Sequence, residues 1–216
     1  FEEIFAVYNR NLFKRRFHCF NVSGLDFLSA ERKIPQIIYA NHSSWWDGLV
    51  AFEISRLAKL DSFVMMEEKQ LKKLFLFRRL GAFSVVRENR REAAKSVNYA
   101  ANLLNENSPR TLWIFPQGEI LPNDRRPLKF FNGASRIIEK TSRVRTVPLA
   151  MRYEFRGQFK PEIFVKIGEP ELISEITKTE AKNLTGRFEK RLTAVLDELK
   201  SDVLSGDLQN YRNILS

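Results

Sequence analysis

Short apolar runs alternate with helix-patterned stretches along this sequence. IIYA (37–40), FVMM (63–66), TLWIF (111–115) and TVPLAM (146–151) are too short for helices and read as buried strands. AFSVVR (82–87), HCFNVSG (18–24) and EIFVKIGEP (162–170) add further extended segments. Between them, DGLVAFEISRLAKL (47–60), ENRREAAKSVNYAANLLNEN (88–107) and FNGASRIIEKTS (131–142) carry helical periodicity, and residues 180–203 form a long C-terminal helix. Alternation of this kind predicts an α/β fold, a single layered domain with a mixed, partly parallel sheet flanked by helices. No internal repeat or Pro/Gly-rich linker divides the chain.

Residues 1–18 predict a further helix, with Ile4, Phe5, Tyr8, Leu12 and Phe13 at helical spacing and a basic face toward its end. The expected division is therefore an N-terminal amphipathic helix (1–18) and an α/β domain (19–216). Two roles fit that helix: packing on the core, or lying in a membrane interface.

The chain carries 36 Lys+Arg against 26 Asp+Glu, a net charge of +10, which favours anionic partners. Nucleic acid is not expected among them, because no zinc-finger, helix-turn-helix or RNA-recognition pattern is present. A single Cys19 rules out an internal disulfide and points to a reducing compartment. No apolar run approaches the roughly 18–20 residues of a membrane-spanning helix. The chain starts at Phe1 rather than Met, which leaves room for an upstream anchor.

The chemistry concentrates in NHSSWWD (41–47), which follows the IIYA strand and opens the next helix. His42 and Asp47 are separated by four residues. A carboxylate near an imidazole fixes its tautomer and leaves the other nitrogen as a base. Ser43 and Ser44 lack a Gly-x-Ser-x-Gly surround, so direct activation of a substrate hydroxyl fits better than a covalent intermediate. Backbone N–H groups of the same turn are candidate donors to an oxyanion. The competing reading makes Asp47 a helix N-cap and His42 a turn residue.

NHSSWWD resembles the His-x4-Asp signature of the glycerolipid (lysophosphatidic acid) acyltransferases. GAFSVVR, from Gly81 to Arg87, is similar to that family's second block, with Lys69 upstream of it. FPQG, Phe115-Pro116-Gln117-Gly118, resembles the third, and TVPLAM with Pro148 the fourth. The blocks stand in the family's order across residues 37–150. The resemblance implies transfer of a fatty acyl group from a thioester carrier, acyl-CoA or acyl-carrier protein, to a hydroxyl of a lysophospholipid or other lipid acceptor. His42 would be the base and Asp47 its orienter. Lys69, Gly81, Arg87 and the 115–119 loop would lie near the acceptor. No metal and no cofactor beyond the acyl carrier are implied.

Four positions depart from the family pattern. Gln117 stands for a glutamate, Glu119 for a small hydroxyl residue and Ile120 for an arginine; Phe131 in FFNG stands for a lysine. Loss of two cationic positions, with Glu119 added, opens a second acceptor class, a non-phosphorylated hydroxylated or glycosylated lipid. It also keeps a non-catalytic, basic membrane- or phosphate-binding module in view. KKLFLFRR puts Lys72, Lys73, Arg78 and Arg79 around Phe75 and Phe77, a pattern suited to anionic membrane surface. The expected location is peripheral, on the cytoplasmic face of a membrane.

Overall fold

The computed structural model describes residues 1–29, 33–86, 88–106, 108–174, 176 and 178–215. In chain order its elements are α1 (Glu2–Arg16), β1 (Phe20–Ser23), α2 (Asp26–Ser29), β2 (Gln36–Ala40), α3 (Asp47–Leu57), β3 (Ser62–Glu67), α4 (Glu68–Lys73), a 3-10 turn (Phe75–Leu80), β4 (Ala82–Val85), α5 (Arg90–Asn105), β5 (Thr111–Ile114), α6 (Gly133–Ile138), β6 (Arg143–Glu154), β7 (Glu162–Ile167), β8 (Glu171–Ser174), α7 (Lys178–Ser205) and β9 (Arg212–Asn213). The strands form one mixed sheet in the order β4-β3-β5-β2-β6-β7-β1-β9, with β8 also paired to β6.

Helical crossovers make the β3–β4, β3–β5, β2–β5 and β2–β6 pairs parallel. The short link at 155–161 instead folds β7 back antiparallel on β6. β8 and β9 also run antiparallel to their neighbours. The fold is thus an α/β layered domain with a mixed, partly parallel sheet.

β2 lies at the centre and is buried along its whole length. Its alternating side chains serve two cores. Ile37 and Tyr39 enter one with Val97, Ile137 and Phe188 from α5, α6 and α7. Ile38 and Ala40 enter the other with Phe13 of α1 and Leu49, Val50 and Ile54 of α3. A strand covered on both faces reads as a continuous apolar run, which is why IIYA carries no polar alternation.

α1 packs by its inner face. The fully buried Asn9 donates to the Leu49 carbonyl (3.3 Å) and to Glu53 Oε2 (3.1 Å) of α3. Phe13 contacts both Phe17 and Phe20, so the aromatic packing runs across the 18/19 junction. Its outer face leaves Ile4, Val7 and Tyr8 exposed. The basic segment 67–81 breaks into α4 and the 3-10 turn, which ends where Gly81 takes φ 84°. A Cβ at Gly81 would lie 2.4 Å from the Ser62 carbonyl oxygen, so this close strand approach requires glycine.

Candidate active site

The connections leaving β2 and β5 go to opposite faces of the sheet. α3, after β2, packs in the core that contains Phe13, while α6, after β5, packs in the core that contains Phe188. Adjacent parallel strands whose connections diverge open a crevice at their carboxyl ends. His42 follows β2 at that crevice, and Phe115–Gly118 follows β5.

Asn41 first fixes the end of β2. Its Oδ1 accepts the Met151 N–H (2.7 Å), and its Nδ2 donates to the Met151 carbonyl (2.9 Å) and to Asn123 Oδ1 (3.0 Å). This side chain continues the β2–β6 pairing for one more residue after the backbone has turned away.

His42 Nδ1 then meets Asp47 Oδ2 at 2.8 Å. The same Oδ2 accepts the backbone N–H groups of Ser43 (2.7 Å) and Ser44 (2.9 Å), and Oδ1 accepts the Tyr153 hydroxyl (2.6 Å). Asp47 is 0% exposed, so these four donors replace the water a carboxylate would otherwise keep. Two amide protons already point at Oδ2, so the proton in the His42–Asp47 contact belongs on Nδ1. Nε2 is left as the acceptor, on a side chain 25% exposed. Asp47 does not cap α3; it turns back onto the loop that precedes the helix.

Three of the turn's amides, candidate donors to an oxyanion, already have partners. His42 N–H donates to Gln117 Oε1 (2.7 Å), and the Ser43 and Ser44 amides are held by Asp47. Leu121 N–H also donates to the His42 carbonyl (2.9 Å), so the loops after β2 and β5 are stitched together. The Phe115 ring lies 4.8 Å from the imidazole.

Gln117 is buried, and what its position needs is an acceptor oxygen. A carboxylate or an amide can supply one, which explains how glutamine stands where the resemblance expects glutamate. Gln117→Leu would leave the His42 N–H unpaired and is expected to cost about 1–3 kcal/mol. Gln117→Glu keeps the acceptor and should melt closer to the parent protein. Thermal unfolding of the two variants, with the order reversed, would contradict this role.

The remaining sequence-predicted residues are dispersed. Pro116 is buried and its carbonyl accepts the Phe131 N–H; Gly118 closes a turn onto the Phe115 carbonyl. Glu119 is exposed, as are Ile120 (52%) and Phe131 (57%). Two nearby cations are engaged elsewhere: Arg126 pairs with Asp197, and Arg152 pairs with Asp124 and Glu154, while Arg125 and Lys129 are exposed. Lys69 pairs with Glu88 at 2.8 Å. Gly81 leads into β4, whose end lies about 15 Å from that of β2 at ordinary strand spacing. Arg87 lies outside the described residues. The structure therefore gathers His42, Asp47, Phe115 and Gln117, and leaves Lys69 and Gly81 toward the sheet edge.

Asn41 and Tyr153 are the residues that reading the sequence misses. Asn41 stands inside the motif but serves there only as a strand boundary. Tyr153 is 106 positions from Asp47, and sheet pairing alone brings it close. Cys19 donates to Glu162 Oε2 (3.3 Å), and burial and that carboxylate push its thiol up to about 11, away from the reactive thiolate. Among the described residues, no cluster of His, Cys, Asp and Glu could hold a metal ion.

The sequence profile of the acyltransferase family matches residues 19–152, more than half of the chain. The chain belongs to the acyltransferase family. The matched span holds every strand end that builds the crevice and stops one residue short of Tyr153. No curated protein matches this acyltransferase sequence. Among solved structures, it is similar to the 1-acyl-sn-glycerophosphate (LPA) acyltransferase PlsC from Thermotoga maritima. The TM-score is 0.67 at 20% identity, over 92% of this chain and 79% of that one. At that identity the likeness is one of fold.

Proposed function

We propose that this acyltransferase moves a fatty acyl group from a thioester carrier, acyl-CoA or acyl-carrier protein, to a hydroxyl of a lipid acceptor. One observation carries the reading: His42 is held by a buried carboxylate through Nδ1, which leaves Nε2 without a hydrogen-bond partner among the described residues, on a side chain 25% exposed. The acceptor hydroxyl gives its proton to Nε2 as its oxygen attacks the thioester carbonyl. Collapse of the tetrahedral intermediate breaks the C–S bond, and the thiolate takes up the proton. A thiolate leaves without strong acid help, so one base is enough. Similarity in fold to a protein named as an LPA acyltransferase supports a lysophospholipid acceptor.

A second acceptor class has its own support. Ile120 and Phe131 expose apolar side chains where the resemblance expects cations, and Glu119 is exposed beside them. That rim suits a hydroxylated or glycosylated lipid without a phosphate better than lysophosphatidate.

The same proposal has the enzyme working at the cytoplasmic face of a membrane. Phe75 is 65% exposed, and Leu76 is exposed beside it. Phe5 of α1 contacts Phe77, and Arg79 stacks over Phe1, so the N-terminal end of α1 adjoins the 3-10 turn. Phe77 itself packs inward and leaves the proposed contact to Phe75 and Leu76, flanked in sequence by Lys72, Lys73, Arg78 and Arg79. No described helix is long and apolar enough to cross a membrane.

The test is thiol release from long-chain acyl-CoA and acyl-carrier protein, with lysophosphatidate, other lysophospholipids and glycosylated lipids as acceptors on anionic vesicles. Turnover with at least one acceptor is expected, weakest with lysophosphatidate, and lower on vesicles when Phe75 and Leu76 are both replaced by Glu. No turnover above that of His42→Ala would leave the non-catalytic binding module as the better reading. Efficient use of lysophosphatidate would remove the second acceptor class.

A further inference from the structure

We propose that Tyr153 is a positioning residue for the His42–Asp47 pair, acting through the carboxylate. The inference rests on the acyl-transfer reading for its kinetic effect, and on geometry alone for its effect on the imidazole. The two oxygens of Asp47 are used unequally. Oδ2 takes His42 and two loop amides, whereas the one donor to Oδ1 among the described residues is the Tyr153 hydroxyl, at 2.6 Å. All three donors to Oδ2 come from residues 42–44, on the loop itself. Tyr153 comes from β6, where it stands opposite Ile163 of β7 and is fixed by the sheet. Its hydroxyl therefore ties the carboxylate, and through it the base, to the sheet as well as to the loop.

The ring is held as firmly as the hydroxyl. It packs 6.0 Å from Phe17, which in turn meets Trp46 edge-on at 4.9 Å. Burial, and then the Asp47 charge, raise the phenol well above its ordinary value, so it remains a donor wherever the protein is folded. The neighbouring cleft, about 380 Å³, is lined by Ser43, Ser44, Trp46 and Tyr153. Arg16 of α1 is the charged residue on its wall. Among the described residues, Asp47 meets the hydroxyl, with His42 behind it, and Arg16 lines the same cleft. With Oδ1 released, the carboxylate can turn about its Cβ–Cγ bond, and the Nδ1–H tautomer loses its fixed acceptor.

Tyr153→Phe removes the hydroxyl and keeps the ring. The expected result is a fall of about tenfold in kcat with KM within about twofold, because alignment matters most as the imidazolium forms. Nitrogen-15 NMR of the imidazoles gives a readout that needs no substrate and that a purely structural role would not move. The chain has two histidines, so His42→Ala assigns the signals. His42 should be a single Nδ1–H tautomer in the parent protein and a mixture in Tyr153→Phe. If the phenylalanine variant does not fold, fluorotyrosines at 153 vary hydroxyl acidity with little change of shape, and kcat should follow fluorine number. A tautomer unchanged in Tyr153→Phe, or a flat fluorine series, overturns the proposal. A shifted tautomer in a protein that transfers no acyl group would keep the positioning role and discard the acyl-transfer reading.

Discussion

His42→Ala is expected to lower acyl transfer by about 10²–10⁴, the usual worth of a positioned general base. The fold should survive the change. The side chain is 25% exposed and, among the described residues, makes one hydrogen bond, to Asp47. Removing it still leaves that carboxylate with two amides and a phenol. The ring contact with Phe115 is lost at the crevice wall, where water can take the space. A melting temperature near that of the parent, together with near-background thiol release, is the expected pair of results. Turnover within about threefold of the parent would mean that the hydroxyl is activated by another group.

Asp47 should separate charge from shape. Asp47→Asn can keep its oxygen toward Ser43, Ser44 and His42 and turn its amide to Tyr153, whose oxygen also accepts. The tautomer is then preserved and only the negative charge is lost. Turnover should fall by about 10²-fold or more, because the imidazolium formed during reaction is no longer paired. Stability should change by only about 1 kcal/mol, the usual net worth of a hydrogen bond. Asp47→Ala is a different experiment. It strands four donors, two of them backbone amides, at about 1–3 kcal/mol each. Such a loss is comparable with the roughly 5–15 kcal/mol that holds a domain together, and the variant is expected to unfold or aggregate. Denaturant titration of both variants checks the contrast. An alanine variant as stable as the asparagine one would show that water enters the site freely.

The alternation of IIYA, FVMM and TLWIF with helical stretches is enough to read the layered fold, because the two periods differ and each run is long enough to show one. It does not reveal β8 or β9, since ELIS and RN are too short to carry a period and owe their extended form to β6 and β1. The same limit applies to the site. His42 and Asp47 are legible because five positions of chain separate them. Gln117 is visible as a departure, but its bond to the His42 amide joins two loops and has no local signature. Tyr153 is a lone tyrosine on a strand; its partner is settled by the register of β6 beside β2. What stays hidden is what depends on sheet register.

The bonds from Ser43 and Ser44 to Asp47 come from their main chain. Evolution reads such a contact differently from one made by a side chain. Nearly any residue type offers the same amide, so substitution at 43 and 44 can drift without disturbing the carboxylate. Proline is the exception, because it has no amide proton to give. As far as the carboxylate is concerned, the constraint on these two positions is therefore a prohibition rather than a preference; the Ser44 hydroxyl, which accepts the Trp46 N–H, adds a separate preference at 44.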